Sequence, residues 1–179
     1  AVRCALRLAP LVFLRPGELR TAKWSDIDLS EATWSFVVRK TKTPLIIPLA
    51  SQAVNILQEL KPVSGRYEYV FPNGRSPLRP MSENAVLAAL RRLGIPKEEM
   101  CGHGFRASAR TLLDEQLGFR PEVIEHQLAH KVKDPLGRAY NRTKFLEDRR
   151  EMMQRWADYI DELRSTTDSL TSRLMSTHK

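Results

Sequence analysis

The sequence predicts an α+β domain, mainly helical, with a small three-stranded antiparallel sheet. Apolar residues recur at helical spacing in segments along most of the chain. Short strand-like runs are confined to one stretch, Ile27 to Pro48, where two polar turns interrupt them. At 179 residues with 42% hydrophobic content, the chain is long enough for one domain with a real core and too apolar for a disordered segment.

Ala5, Leu6, Leu8, Ala9 and Val12 define a mostly buried opening helix. Pro16 suits the first position of a short second helix that runs from Gly17 to Lys23, because its missing N–H would be unpaired there anyway. Strands follow at Ile27 to Leu29, Trp34 to Arg39 and Leu45 to Pro48. Ser30-Glu31-Ala32 and Lys40-Thr41-Lys42-Thr43-Pro44 form the turns between them. Ser51 to Leu60 is helical, with Val54, Leu57 and Leu60 on one side. Lys61 to Pro80 is a long connection punctuated by Pro and Gly. Ser82 caps a helix that reaches Leu93 and stops at Gly94. His103 to Leu117 and Pro121 to Leu128 are further helices, the former ended by Gly118. Lys131 to Gly137 is a polar loop. Phe145, Arg149, Met152, Met153, Trp156, Ile160 and Leu163 follow a helical period. Residues 1–164 form the domain, and the Ser/Thr-rich residues 165–179 are expected to be a flexible tail.

The net charge of +8 points to a polyanionic partner, nucleic acid before membrane. Two cysteines, Cys4 and Cys101, make neither a disulfide framework nor a four-ligand zinc site and fit a reducing cytosol. No apolar run is long enough to span a bilayer.

The candidate chemistry lies in five motifs. Arg15 precedes a helix start, where the backbone favours an anion, and Glu18 is placed to orient it. Lys40 and Lys42 occupy a hairpin turn, from which a lysine can reach a groove and protonate a leaving oxygen. His103 and Arg106 share a helix face that Arg110 extends, with Phe105, Ala109 and Leu112 on the core side. This arrangement predicts that His103 and Arg106 face outward. His126 and His130 are spaced as metal ligands can be, but the glutamate of a zinc hydrolase is missing between them and no third ligand is evident. Tyr140 follows a polar loop from which a nucleophile could swing into a site. Tyr67, Tyr69 and Tyr159 are its competitors, and Tyr159 belongs to the last amphipathic helix. Two arginines, a lysine, two histidines and a tyrosine are a set able to cut a phosphodiester without metal.

In order, these motifs resemble the catalytic domain of the tyrosine recombinases, the phage-integrase family, and most nearly the integrases of prophages and genomic islands. The resemblance is carried by Leu8-Ala9-Pro10-Leu11-Val12-Phe13-Leu14-Arg15-Pro16-Gly17-Glu18-Leu19-Arg20, Trp24-Ser25-Asp26-Ile27-Asp28, Ile47-Pro48-Leu49, His103-Gly104-Phe105-Arg106-Ala107, Gln127-Leu128-Ala129-His130, Ala139-Tyr140-Asn141-Arg142 and Met152-Met153-Gln154-Arg155-Trp156-Ala157-Asp158-Tyr159. It implies catalytic roles for Arg15, Lys40, His103, Arg106, His130 and Tyr140, with Glu18 in support. Lys40 is preferred to Lys42 by its interval to Pro48. Lys42, Arg110 and Arg142 are implied as DNA contacts.

The resemblance further implies cleavage and rejoining of double-stranded DNA through a 3′-phosphotyrosine, with no cofactor and no metal. The implied setting is the bacterial cytoplasm, on the nucleoid, with no membrane association. Full-length protomers are implied to act as a tetramer on DNA. Ala1 aligns inside the catalytic domain's first helix, so the chain reads as an excised fragment, expected to be monomeric alone. Two other classes stay open on sequence: a metal-dependent nuclease using His126 and His130, and a DNA-binding module without chemistry.

Overall fold

A computed structural model of the chain describes residues 1–130 and 145–176. Helix α1 (Val2–Val12) leads into the five-residue α2 (Pro16–Arg20). A 3-10 turn, Trp24–Asp26, opens the sheet, in which β1 (Ile27–Asp28), β2 (Thr33–Val37) and β3 (Pro44–Pro48) form an antiparallel meander in the order β1-β2-β3. Five helices follow: α3 (Ser51–Ser64), α4 (Ala85–Arg92), α5 (Gly104–Glu115), α6 (Pro121–Gln127) and α7 (Leu146–Ser176).

The strand pairing matches the apolar pattern. Trp34 sits opposite Ile27 on one side and Ile47 on the other, and Phe36 sits opposite Leu45. Trp34, Ile47 and Leu45 are buried, so the sheet turns one face to the core. Ala5, Leu8, Ala9 and Val12 of α1 are buried with them, together with Ile56, Leu57 and Leu60 of α3. A second apolar cluster joins Phe13 to Ala109 and Leu113 of α5, Val123 and Ile124 of α6, and Met152, Met153 and Trp156 of α7. Phe13 therefore sits where α1, α5, α6 and α7 converge. The edge of its ring meets Trp156 at a centroid distance of 5.7 Å.

Several boundaries differ from the sequence expectation. Helix α3 runs past Leu60 to Ser64 with Pro62 inside it. Tertiary bonds hold that last turn: Trp24 Nε1 donates to the Ser64 carbonyl at 3.1 Å, and Ser64 Oγ donates to the Val70 carbonyl at 2.8 Å. Helix α4 begins at Ala85, not Ser82. Ser82 Oγ instead accepts the Asn84 N–H at 3.4 Å in the turn before it.

Helix α7 continues through Ser165 to Ser176, the stretch that composition set apart as a tail. Its hydroxyls bond back along the helix, Ser165 to the Asp161 carbonyl at 2.6 Å and Thr166 to that of Glu162 at 2.9 Å. Such bonds occupy the hydroxyls of Ser and Thr inside a helix, at a small cost to the helix.

Candidate active site

Arg15 lies in the short link between α1 and α2. Phe13, with φ 55°, turns the chain sharply at the end of α1, and Arg15 is extended (φ −65°, ψ 146°) just ahead of Pro16. Glu18, one turn on, is buried and takes Arg15 by two atoms. One carboxylate oxygen accepts the Arg15 backbone N–H at 3.1 Å, and the other accepts Nη1 at 3.3 Å. Glu18 thus contacts Arg15 through both carboxylate oxygens.

Arg106 corrects the expected orientation of α5. It points inward and is only 8% exposed, on the buried face with Ala109 and Leu113. Its Nη1 donates to the Phe13 carbonyl, and its Nη2 donates to the Leu128 carbonyl at 2.7 Å. Phe13 and Leu128 terminate α1 and α6, so the guanidinium satisfies one carbonyl at the end of each helix, where partial negative charge collects. Burial, then the neighbouring positive charge of Arg15, pulls the Arg106 guanidinium down to about 10, with Glu18 and Glu125 acting in the opposite direction. It stays charged at neutral pH. With two of its five N–H groups spent on carbonyls, it keeps donors for an anion.

His130 joins this group through Arg106, whose Nη2 lies 3.4 Å from His130 Nε2. The other ring nitrogen, Nδ1, is 2.5 Å from a carboxylate oxygen of Glu125. Glu125 also accepts Arg110 Nε at 2.9 Å. The end of α6 explains the meeting. The His130 N–H bonds the Glu125 carbonyl at 3.0 Å, and the Ala129 N–H bonds that of His126 at 3.0 Å. Ala129 is left-handed, with φ 51°. This is a Schellman closure, which folds the residue after the left-handed position back over the helix's last turn. Glu125, absent from the sequence expectation, is the functional candidate that reasoning from motifs missed.

The remaining described candidates lie on other elements. His103 is exposed at the N-terminal end of α5. The loop that carries it lies against α2: a Cβ added at Gly102 would come 2.8 Å from Pro16 Cγ. Together with Pro16, Arg20, Met81 and Phe105, His103 lines a cavity of about 250 Å³. Lys40 and Lys42 are exposed in the turn between β2 and β3. That turn is closed by bonds from Val38 N–H to the Thr43 carbonyl and from Lys42 N–H to the Val38 carbonyl. Arg39, beside Lys40, lines an open groove with Glu18 and Lys23. Among the described residues, no hydrogen bond or ion pair joins Lys40 or His103 to the Arg15–Arg106–His130 group. Tyr140 and Arg142, and the loop before them, lie outside the described residues.

The model of the phage integrase family matches residues 1–147. The chain belongs to the phage integrase family. It is 39% identical over 184 residues to the integrase of Enterobacteria phage P4, which covers 94% of this chain and 42% of that protein. It is 39% identical over 173 residues to prophage integrase IntA of Escherichia coli K12 (96% of this chain, 41% of that protein). Over 164 residues it is 42% identical to prophage integrase IntZ of the same strain (90% and 40%). The chain therefore spans about two-fifths of the length of these relatives. The fold is that of the integrase from mycobacterium phage Brujita, with a TM-score of 0.66 at 21% identity, over 87% of this chain and 51% of that one. A crystal structure of a lambda integrase dimer bound to a COC′ core site matches with a TM-score of 0.56 at 26% identity, over 78% and 54%.

Within this phage integrase domain, His126 is distinct from His130. It is buried on α6, with its ring edge-on to Phe145 at 6.2 Å. Among the described residues, no group of three His, Cys, Asp or Glu is placed to hold a metal ion, and no helix is long and apolar enough to cross a membrane.

Proposed function

We propose that the chain is the catalytic domain of a site-specific DNA recombinase that integrates or excises a prophage or genomic island. The observation that carries this reading is the buried Arg106, bonded to the Phe13 carbonyl two residues before Arg15 and lying beside His130, in a phage integrase fold. Two arginines held by Glu18 and by helix-end carbonyls form a preorganised cradle for the non-bridging oxygens of one phosphate.

In the proposed reaction the Tyr140 oxygen attacks the scissile phosphorus, and His103 takes the phenolic proton. The bond to the 5′ oxygen breaks, and Lys40 at the hairpin tip protonates that oxygen as it leaves. Arg15 and Arg106 offset the charge that builds on the pentacoordinate phosphorus, and His130 adds a hydrogen bond. A free 5′-hydroxyl from another strand then reverses the step and releases Tyr140. The bond energy is conserved in the 3′-phosphotyrosine, so neither nucleotide cofactor nor metal is required. Lys42 and Arg142 supply further phosphate contacts. Solved lambda integrase assemblies include the dimer on a core site and a tetramer bound to a Holliday junction. We place the full-length protein in a tetramer on paired double-stranded sites in the bacterial cytoplasm, and this chain alone as a monomer, with a domain over residues 1–164.

The test is covalent capture. Incubated with nicked attachment-site DNA in excess chelator, the protein should form a band that survives denaturant. Tyr140→Phe should abolish that band and leave DNA affinity nearly unchanged, because only the attacking oxygen is removed. Arg106→Ala should lower both, since a charge-assisted phosphate contact is lost in ground and transition states alike. Capture that survives in Tyr140→Phe and disappears in Tyr159→Phe would overturn the nucleophile assignment, and capture that requires a divalent metal would favour a nuclease.

A further inference from the structure

We propose that Glu125 is a positioning residue that fixes the tautomer and direction of the His130 ring, with Arg110 holding Glu125 in turn. This rests on the placement of His130 in the reaction site. The partners of the ring determine its hydrogens. An ionised carboxylate only accepts and a guanidinium only donates. Glu125 lies 2.5 Å from Nδ1, and Arg106 Nη2 lies 3.4 Å from Nε2. Nδ1 therefore carries the hydrogen of the neutral ring, and Nε2 presents its lone pair beside the phosphate-binding guanidinium. If Nε2 gains a proton during the reaction, the ring becomes a donor to the phosphate, and its charge is matched by Glu125 on the opposite side.

The backbone builds this pair. The Schellman closure at Ala129 stacks the residue after it over the residue five positions earlier, and helices commonly fill that contact with two apolar side chains. Here the two positions are His130 and Glu125, bonded through both backbone and side chain. The carboxylate is steadied from the far side by Arg110, whose Nε is 2.9 Å away. A bare carboxylate near a phosphate would repel it. Bonded to Arg110 and His130, Glu125 has its charge offset within the protein. Arg110 is thus assigned to holding this carboxylate.

The measurement is the side-chain ¹H–¹⁵N correlation spectrum of the histidines in this chain at fixed pH, with His130 assigned by its loss in His130→Gln. The expected wild-type signal is an Nδ1-protonated ring. Glu125→Ala should return the ring to the Nε2-protonated form that free imidazole side chains prefer. Glu125→Gln, which keeps an acceptor oxygen, should retain the Nδ1 form. Arg110→Ala, which breaks the ion pair but not the His130 contact, should retain it as well. A general loosening of the helix end would move Arg110→Ala and Glu125→Ala alike.

In the covalent-capture assay, Glu125→Ala should slow adduct formation roughly tenfold or more, part of the roughly 10²- to 10⁴-fold that a positioned proton-transfer group contributes. An unchanged tautomer in Glu125→Ala overturns the proposal while leaving the recombinase reading intact. A changed tautomer with an unchanged capture rate overturns the functional half. Capture in Tyr140→Phe fails the recombinase reading independently of Glu125.

Discussion

Arg106 is both a structural plug and a phosphate ligand in the proposed site, and its two duties can be separated by substitution. It holds the carbonyls of Phe13 and Leu128 and is pulled down to about 10 chiefly by burial. Arg106→Lys keeps the positive charge and removes the planar fork. One helix-end carbonyl then loses its donor inside the protein, at a cost of about 1–3 kcal/mol. A denaturant titration should show the midpoint fall with the slope unchanged, and covalent capture should drop sharply despite the conserved charge. Unchanged stability together with lost capture would mean that the carbonyl contacts contribute little to the fold. The presence of Arg106 in the site was legible from the His103-to-Arg106 spacing, but its inward direction was not. Spacing tells which residues share a helix face; which face is buried depends on where the ends of α1 and α6 lie, and those come from distant sequence. Glu125 was hidden for a related reason, since no local motif pairs it with His130 until the helix end is known to fold back.

Helix ends carry much of the site's geometry. Gly94 (φ 83°) closes α4 through the same pair of bonds that Ala129 (φ 51°) uses at α6. The sequence marked the first because glycine tolerates that conformation, and it could not mark the second, where alanine stands in a strained backbone. Ala129→Gly should accordingly raise stability by about 0.5–1 kcal/mol, the relief of left-handed strain less the extra freedom of glycine in the unfolded chain. A thermal melt with a lowered midpoint would contradict this. The three strands were legible because their alternation and their turns agree, as the pairing of Trp34 with Ile47 shows. The last turn of α3 and the extension of α7 were not. Tertiary bonds joining Ser64 to Trp24 and Val70 carry α3 past Pro62, and in α7 the hydroxyls of the expected tail bond back to carbonyls of the helix itself.

Across the whole molecule, the proposed function and the net charge of +8 together predict DNA association governed by counterion release. Affinity should fall steeply between low and physiological salt. Neutralising an exposed phosphate-contacting lysine at the hairpin tip should flatten the slope of log K against log salt by roughly 0.9. A Lys42→Ala titration that keeps the parent slope would place the hairpin away from the duplex. Family and fold were readable at this scale because six chemical positions appear together in one order along the chain.

The central claim is that one tyrosine becomes bonded to DNA phosphorus beside the Arg15–Arg106 pair, and the most direct measurement is the identity of the residue carrying the nucleotide. The covalent adduct should be formed in excess chelator, trimmed with nuclease, digested with protease and sequenced by mass spectrometry. The expected result is a nucleotide mass on the peptide containing Tyr140, linked through a 3′-phosphate, reduced in Arg106→Ala and absent from Tyr140→Phe. A nucleotide on any other residue, or no adduct without metal, would contradict it.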